Sequence, residues 1–310
     1  ARPVFVNAVT FVDMPYRWAG EDPRHLEQYA VQSIAHGAHP STYIMGTPDD
    51  SPFPALARSG RITRFHRDHQ QDYTGLISTA RCALVRPAGT GRSRDEFEGW
   101  HSALSEAHIP AAAFHAATLA DLDKDRFDLV ILPDLGELAD QAVHGLRRFL
   151  DEGGAVIATG SSAWSAGEHQ LDRVGTRLAH KAVFDTEESL RSLHLDIGAS
   201  LPGPASSPAP GGPIGPVHVP ALGEFRVLGT HGALGADENG PTTGWPVLGR
   251  ALYGPPEKCH GNEETGHPGR VSWQEASGGS VTVLPWLPGQ VLSELGLSAV
   301  GMALSEVVTT

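Results

Sequence analysis

The chain has 310 residues, enough for two or three domains with a large core. Its net charge of -13, with no lysine- or arginine-rich run, excludes nucleic acid as an expected partner, because an acidic surface repels phosphate backbones. No apolar run approaches the ~20 residues of a membrane helix. The chain opens without a signal-peptide pattern, and its two cysteines, Cys82 and Cys259, lie far apart. We therefore expect a cytoplasmic protein with no membrane partner, although a signal peptide removed upstream would leave the same sequence.

Residues 1–75 predict a strand, a helix and a second strand, followed by a connecting helix. Pro3 to Val12 is apolar and β-branched, which indicates a buried strand. Asp22 to His36 predicts a helix with proline in its first turn, and His39 to Met45 predicts the second strand. A buried strand this close to the first residue needs neighbours on both sides. We expect these elements to be the end of a larger α/β unit whose earlier strands are absent from this chain.

Residues 76–198 predict a doubly wound, flavodoxin-like parallel sheet. Four short apolar runs have the length of buried strands, and helical patterns separate them. The strongest pattern is the strand from Phe127 to Leu132, a helix that Asp134 would cap, and the strand from Ala155 to Ala158. The other predicted elements are the strands Ala80 to Val85 and Ala111 to His115 and the helix Ser93 to His108.

The remainder of the chain predicts a linker and a small, mostly β domain. Residues 199–216 are rich in Pro, Gly and Ser and cannot form a regular element. Within residues 217–310, several runs have strand length, among them Gly269 to Trp273 and Ser280 to Leu284. A short helix is predicted from Gly289 to Leu297. The expected fold class is thus α/β, with the mostly β part at its end.

Motifs for cofactors, metals and nucleophiles are weak. The glycines between Arg86 and Gly91 do not follow the dinucleotide pattern, and the turn from Thr159 to Ser162 lacks the nucleophile-elbow sequence. His66 and His69 lie three residues apart, and the segment from Glu257 to His267 is dense in ligand types, but neither has a zinc-site spacing. We expect no cofactor and no metal.

The ends of the two strands in residues 1–50 carry the strongest candidate site. In α/β barrels the carboxyl ends of parallel strands form the active face. Aromatic rings stack on sugar faces, and carboxylates bind hydroxyl groups or act in acid–base and nucleophilic chemistry. The candidate residues of this site are Asp13, Tyr16, Arg17, Trp18, His39, Tyr43, Asp49 and Asp50.

Five stretches resemble the C-terminal half of the β-galactosidase-like glycoside hydrolases, family 42 and its relatives. HLEQYAVQSIAHGAHPSTYIMGTPD is similar to the last barrel helix and eighth strand, and RFHRDHQQDYTG to the helix that leaves the barrel. FDLVILPDLGELADQAVHGLRRFLDEGGAVIATG resembles the trimerisation domain of that family. YGPPEKCHGNEETGHPGRV and GGSVTVLPWLPG resemble its closing β domain.

The resemblance implies a carbohydrate substrate and a homo-oligomer, possibly a trimer. It makes Asp13 the catalytic candidate and assigns substrate binding to the other candidates, namely Tyr16, Arg17, Trp18, His39, Tyr43 and Asp49. The chain departs from the family in two respects: the strand with the acid/base glutamate is missing, and Asp13 stands nearest to the place of the nucleophilic glutamate. A non-catalytic oligomerisation or carbohydrate-binding chain on an amidotransferase-like module is the alternative, and a free-standing amidotransferase-like enzyme is a third.

Overall fold

The computed structural model describes residues 4–13, 16–46, 53–88, 91–173, 178–181, 194–198, 218–220, 227–230, 241–249 and 263–309. It is a mixed α/β structure, which confirms the predicted fold class. The chain forms two compact units, Ala1–Ser78 and Thr79–Thr310, which we call unit 1 and unit 2.

Unit 1 contains the strand–helix–strand that the sequence predicts. Its elements are β1 (Phe5–Val9), α1 (Pro23–Ala35), β2 (His39–Tyr43), α2 (Ala55–Asp68) and α3 (Gln70–Tyr73). The two strands are parallel, with Phe5 opposite His39. Helix α1 begins where expected, because the Asp22 carboxylate accepts a hydrogen bond of 2.7 Å from the Arg24 amide and proline occupies the first helical position. Glu27 of α1 pairs with Arg58 and Arg61 of α2, which holds the two helices together.

Strand β1 is more exposed than its apolar sequence predicts. Val4, Phe5 and Val6 are exposed, and the Phe5 side chain is 68% accessible. Within the described part of unit 1, β2 is the one strand paired with β1, and α1 leaves part of the sheet uncovered. An apolar strand in this position presents an exposed hydrophobic face, a feature common at interaction surfaces.

Unit 2 is built on a nine-stranded sheet in the order β11-β10-β13-β14-β15-β6-β5-β3-β4. The five strands from β15 to β4 are parallel, and the others pair antiparallel. The strands of unit 2, both inside and outside this sheet, are β3 (Cys82–Arg86), β4 (Ala111–His115), β5 (Leu129–Pro133), β6 (Ala155–Thr159), β7 (Trp164–Ser165), β8 (Glu168–His169), β9 (Leu178–Lys181), β10 (His194–Asp196), β11 (His218–Pro220), β12 (Val227–Thr230), β13 (Thr242–Gly249), β14 (Glu263–Gln274) and β15 (Ser280–Leu284). Its helices are α4 (Arg92–Glu106), α5 (Asp140–Asp151), α6 (Pro288–Leu295) and α7 (Ser298–Thr309), and a 3-10 turn covers Ala116–Asp121.

The end of the chain belongs to the same sheet as the predicted flavodoxin-like part. Strand β15 pairs with β6 in parallel, with Val281 opposite Val156. Helices α6 and α7 then pack with α4 in one apolar cluster that includes Trp100, Leu104 and Val291. Within unit 2, the described residues of the predicted closing β part therefore share a sheet and an apolar cluster with the predicted flavodoxin-like part. The alternation of Ser280–Leu284 identifies a strand but not its neighbour in the sheet, so this pairing could not be predicted.

The ring of His169 is buried in unit 2 between two tryptophans. Its centroid lies 5.1 Å from that of Trp164 and 5.8 Å from that of Trp273. Neither ring nitrogen has a hydrogen-bond partner among the described residues. Burial lowers the pKa of His169 from 6.5 to about 4, because an imidazolium there would lose its hydration.

This histidine should make the protein acid-sensitive. Between pH 6.5 and about 4, the native ring stays neutral while the ring in the unfolded chain takes up a proton. The contribution of the neutral ring to stability is therefore complete above pH 6.5 and is lost as the pH falls through about 4. We expect His169→Phe to reduce the loss of stability over this range, measured as the urea midpoint at several pH values. His144→Phe, at an exposed site on α5, is the control. An unchanged pH slope in His169→Phe would contradict this assignment.

Candidate functional site

The predicted site residues that follow β1 lie together in one short loop. The Val12 amide donates to the Ala19 carbonyl at 2.9 Å, and the Tyr16 amide donates to the Asp13 carbonyl at 2.8 Å. These bonds fold the loop back on itself, so Asp13, Tyr16, Arg17 and Trp18 share one compact turn. All four side chains are exposed, Tyr16 to 63% and Trp18 to 88%. Exposed rings beside a carboxylate and a guanidinium can contact a sugar through stacking and hydrogen bonds.

Tyr43 lies at the same end of the two-stranded sheet. The Thr10 amide donates to the Tyr43 carbonyl at 3.1 Å, and the Tyr43 ring meets the buried Phe11 ring edge-on, with centroids 5.8 Å apart. The structure thus brings the carboxyl ends of β1 and β2 together. Asp49 and Asp50 fall outside the described residues.

His39 lies at the opposite end of β2 from Tyr43. It is the first residue of a five-residue strand, which puts it roughly 13 Å along the sheet from Tyr43. Its ring is 5.3 Å from that of Phe5 and 5.8 Å from that of His66. The structure therefore separates His39 from the loop residues. The prediction placed His39 with them because His39 belongs to a strand end, without distinguishing the first residue of the strand from the residues that follow it.

Glu21 is a further carboxylate on the connection between β1 and α1, and it is not among the predicted site residues. Its amide donates to the Thr10 carbonyl at 2.9 Å, which holds it beside the end of β1. Its Oε1 accepts from the Asp22 amide at 2.8 Å and lies 3.2 Å from Nδ1 of His25. An acidic residue directly before the Asp22-Pro23 helix start was the available signal. With Asp13 and the helix-capping Asp22, it makes three carboxyl groups on this connection.

In unit 2, polar side chains meet at the carboxyl ends of β5 and β6. Asp134 follows β5 with a positive φ of 49°, and its Oδ1 accepts from the Ser161 amide at 2.9 Å and from the Ser161 hydroxyl at 2.6 Å. The predicted helix cap at Asp134 is wrong, because α5 begins at Asp140 after Ala139. No described histidine hydrogen-bonds the Ser161 hydroxyl, so the described residues form no Ser-His pair at this turn.

Glu96 is fully buried in the same region and joins three elements. Its Oε1 accepts from the Trp100 indole at 3.0 Å and from the Thr159 hydroxyl at 2.8 Å, while its Oε2 accepts from the Gln290 amide at 2.8 Å. Burial raises the pKa of Glu96 to about 8, although the three hydrogen bonds act in the opposite direction. We regard this group as a structural link between α4, β6 and α6.

The described residues contain no group of three or more His, Cys, Asp or Glu side chains arranged to hold a metal ion. Much of the segment from Glu257 to His267 lies outside them. Over the same described part, no helix combines the length and the apolar character needed to cross a membrane.

Comparison with known proteins shows similarity at the level of fold. No protein-family model matches the chain, and no curated protein matches its sequence. Among solved structures, α-L-fucosidase isoenzyme 2 from Paenibacillus thiaminolyticus aligns with 96% of this chain and 43% of its own, at a TM-score of 0.66 and 15% identity. A β-galactosidase from Bacillus circulans sp. alkalophilus aligns with 96% of this chain and 45% of its own, at a TM-score of 0.63 and 10% identity.

A GH42 β-galactosidase, Gan42B, aligns with 91% of this chain and 41% of its own, at a TM-score of 0.61 and 13% identity. The chain therefore has a glycoside hydrolase-like fold. It spans less than half the length of each of these three proteins.

Proposed function

We propose that this chain is the C-terminal portion of a β-galactosidase-like glycoside hydrolase, which cleaves O-glycosidic bonds. One observation carries the proposal: the alignment with a glycoside hydrolase extends over 96% of the chain and thus includes residues of both units. Unit 1 would be the end of a (β/α)8 barrel, and unit 2 would correspond to the trimerisation-type and closing β parts. The homo-oligomer, possibly a trimer, is part of the same proposal.

Strand β1 has the features of a barrel strand that lacks a neighbour. Val6, Ala8 and Val9 line a groove of about 440 Å³ whose other wall is formed by Tyr29 and Ser33 of α1. In a barrel, each strand and its helix are packed on both sides by the neighbouring strand–helix pairs. The groove and the exposed strand are therefore features expected where one more strand–helix pair would dock. The missing barrel strands would come from a preceding segment or a separate chain.

The proposed site lies in the loop after β1 and at the end of β2. Asp13 would act as a catalytic carboxylate or bind a sugar hydroxyl, and Arg17 would add hydrogen bonds. Tyr16, Trp18 and Tyr43 would line the sugar subsite, and Asp49 is assigned to it from the sequence. Glycoside hydrolysis uses two carboxyl groups, about 5–5.5 Å apart for retention of configuration. The second group in this proposal belongs to a barrel strand other than β1 and β2.

An aryl-glycoside assay on the full-length protein tests the role of Asp13. We expect Asp13→Asn to lower kcat about 10²–10⁴-fold on 4-nitrophenyl β-galactoside, because the amide cannot act as nucleophile or base. Asp72→Asn, at an exposed position on α3, is the matched control and should retain the rate. Equal rates for Asp13→Asn and wild type would remove Asp13 from the mechanism.

The alternative is a non-catalytic oligomerisation or carbohydrate-binding chain, and the exposure of Trp18 and Tyr16 favours it. Flat, exposed rings bind sugars without any need for a carboxylate pair. A full-length protein that binds galactosides but hydrolyses no aryl-glycoside would support this alternative over the enzyme. Loss of that binding in Trp18→Ala, with retention in Phe65→Ala, would locate it in the loop.

A further inference from the structure

A cleft of about 650 Å³ lies in unit 2 between α4 and the edge of the sheet. Its walls include Arg86 at the end of β3, Ala113 of the edge strand β4, and four residues of α4, namely Arg94, Phe97, Glu98 and His101. In open α/β sheets, ligands bind in crevices outside the carboxyl ends of the parallel strands. Arg86, the last residue of β3, is at such an end.

The cleft exists because the edge strand β4 has a small side chain on the side of the sheet that faces α4. Alternate residues of a strand point to the same face, and Cys82 and Leu84 of β3 join the cluster that contains Trp100 of α4. Arg86 continues that series beyond the apolar cluster. On the neighbouring strand Ala113 lies opposite Leu84, and its methyl group leaves the space beside α4 open.

The charges of the cleft differ from those of the chain as a whole. The chain has a net charge of -13, whereas the cleft holds two guanidinium groups, one imidazole and one carboxylate. Arg94 pairs with Glu98 through Nε at 2.7 Å. Arg86 is exposed, and no carboxylate of the described residues forms an ion pair with it. An unpaired guanidinium in a cavity offers parallel N–H donors that match a carboxylate, sulfate or phosphate group.

Aromatic surface is available next to these charges. The Phe97 and His101 rings are nearly parallel, with an interplanar angle of 26° and centroids 6.5 Å apart. A flat or ring-shaped ligand body can pack on such rings while its acidic group meets a guanidinium. A volume of about 650 Å³ lies within the ordinary range for small-molecule sites.

We propose that this cleft binds a small organic anion, with the acidic group on Arg86 and the ring on Phe97 and His101. A sugar acid is the class of ligand that satisfies both features. The cleft is lined by residues of unit 2, whereas the proposed hydrolase site is formed by residues of unit 1, so the inference does not rest on the proposed function.

Calorimetric titration of the intact chain with galacturonate, galactose and inorganic phosphate tests this inference. We expect saturable binding of galacturonate, weaker binding of phosphate, and none of galactose at the same concentrations. Arg86→Ala should weaken galacturonate binding about tenfold or more, because a bidentate ion pair is lost. Ala113→Leu should also weaken it while keeping every charge, because the larger side chain fills the cleft. Arg24→Ala, which removes an exposed arginine from unit 1, should not change it.

Four results would overturn the proposal. These are no saturable binding of galacturonate, equal affinity for galactose and galacturonate, unchanged affinity in Arg86→Ala, and phosphate binding as tight as that of galacturonate. The last result would show that the rings contribute nothing and that the site takes a bare anion. Thermal unfolding of each variant identifies any loss of binding that comes from loss of folding.

Discussion

Gly99→Ala is expected to destabilise unit 2 by about 3 kcal/mol or more, the upper part of the range for overpacked cores. Gly99 of α4 faces Gly289 of α6, and a Cβ at residue 99 would lie 1.8 Å from the Gly289 carbonyl oxygen and 2.3 Å from its carbon. Both obstructing atoms belong to the backbone, so no side-chain rotation can relieve the clash. Because α4 would have to move away from α6, the apolar cluster beneath them would open as well.

Gly301→Ala is the matched control, since it makes the same change in a helix of the same unit. A Cβ at Gly301 of α7 would meet the Leu292 methyl groups at 3.7 and 3.8 Å, which is ordinary contact. Alanine has the higher helix propensity, so we expect this variant to be neutral or more stable by up to ~1 kcal/mol. Urea unfolding of the two variants and wild type measures the difference. Similar stabilities for Gly99→Ala and Gly301→Ala would contradict the close approach of α4 and α6.

The parallel strands of unit 2 could be predicted to within about two residues because each is a short apolar run between turn residues. Ala111–His115 has its predicted bounds, and β3, β5 and β6 differ from prediction only at their ends. The start of α5 could not be predicted in the same way. Asp134 and Glu137 have the spacing of a capping box, but Asp134 binds Ser161 instead, a residue 27 positions away. A local pattern does not reveal a long-range partner of this kind.

For the candidate site, the sequence predicted the residues of a single loop better than those of two elements. Asp13, Tyr16, Arg17 and Trp18 are neighbours in the chain, so a turn is sufficient to bring them together. His39 belongs to a strand, and its position depends on strand direction and on where the strand begins. The cleft beside α4 was not predicted, because it depends on Arg86 and Ala113 being on adjacent strands and facing the same helix.

Glu96 should make unit 2 lose stability as the pH rises. Its pKa is about 8 in the native state and 4.5 in a solvated carboxyl group, so between these values the native side chain keeps its proton while the unfolded one has lost it. The stabilising contribution is complete below pH 4.5 and is lost as the pH rises through about 8. We expect the free energy of unfolding to fall by up to about 1.4 kcal/mol per pH unit across this window. The measurement is the urea midpoint at intervals from pH 6.5 to 9, where the burial of His169 no longer adds to the pH dependence of stability.

The conservative variant Glu96→Gln should remove this slope, since an amide does not titrate. Glu98→Gln is the matched control on the same helix, because Glu98 is exposed and its loss should leave the slope unchanged. Near pH 6.5, Glu96→Ala should be less stable than wild type by about 3 kcal/mol or more, because Trp100, Thr159 and Gln290 then lose their acceptor in a buried place. The difference should narrow as the pH rises, because only wild type loses the contribution of the protonated carboxyl group. A slope that persists in Glu96→Gln would show that another group titrates. A slope that disappears, together with a large loss in Glu96→Ala, would show that one carboxyl group both links α4 to β6 and α6 and limits stability at alkaline pH.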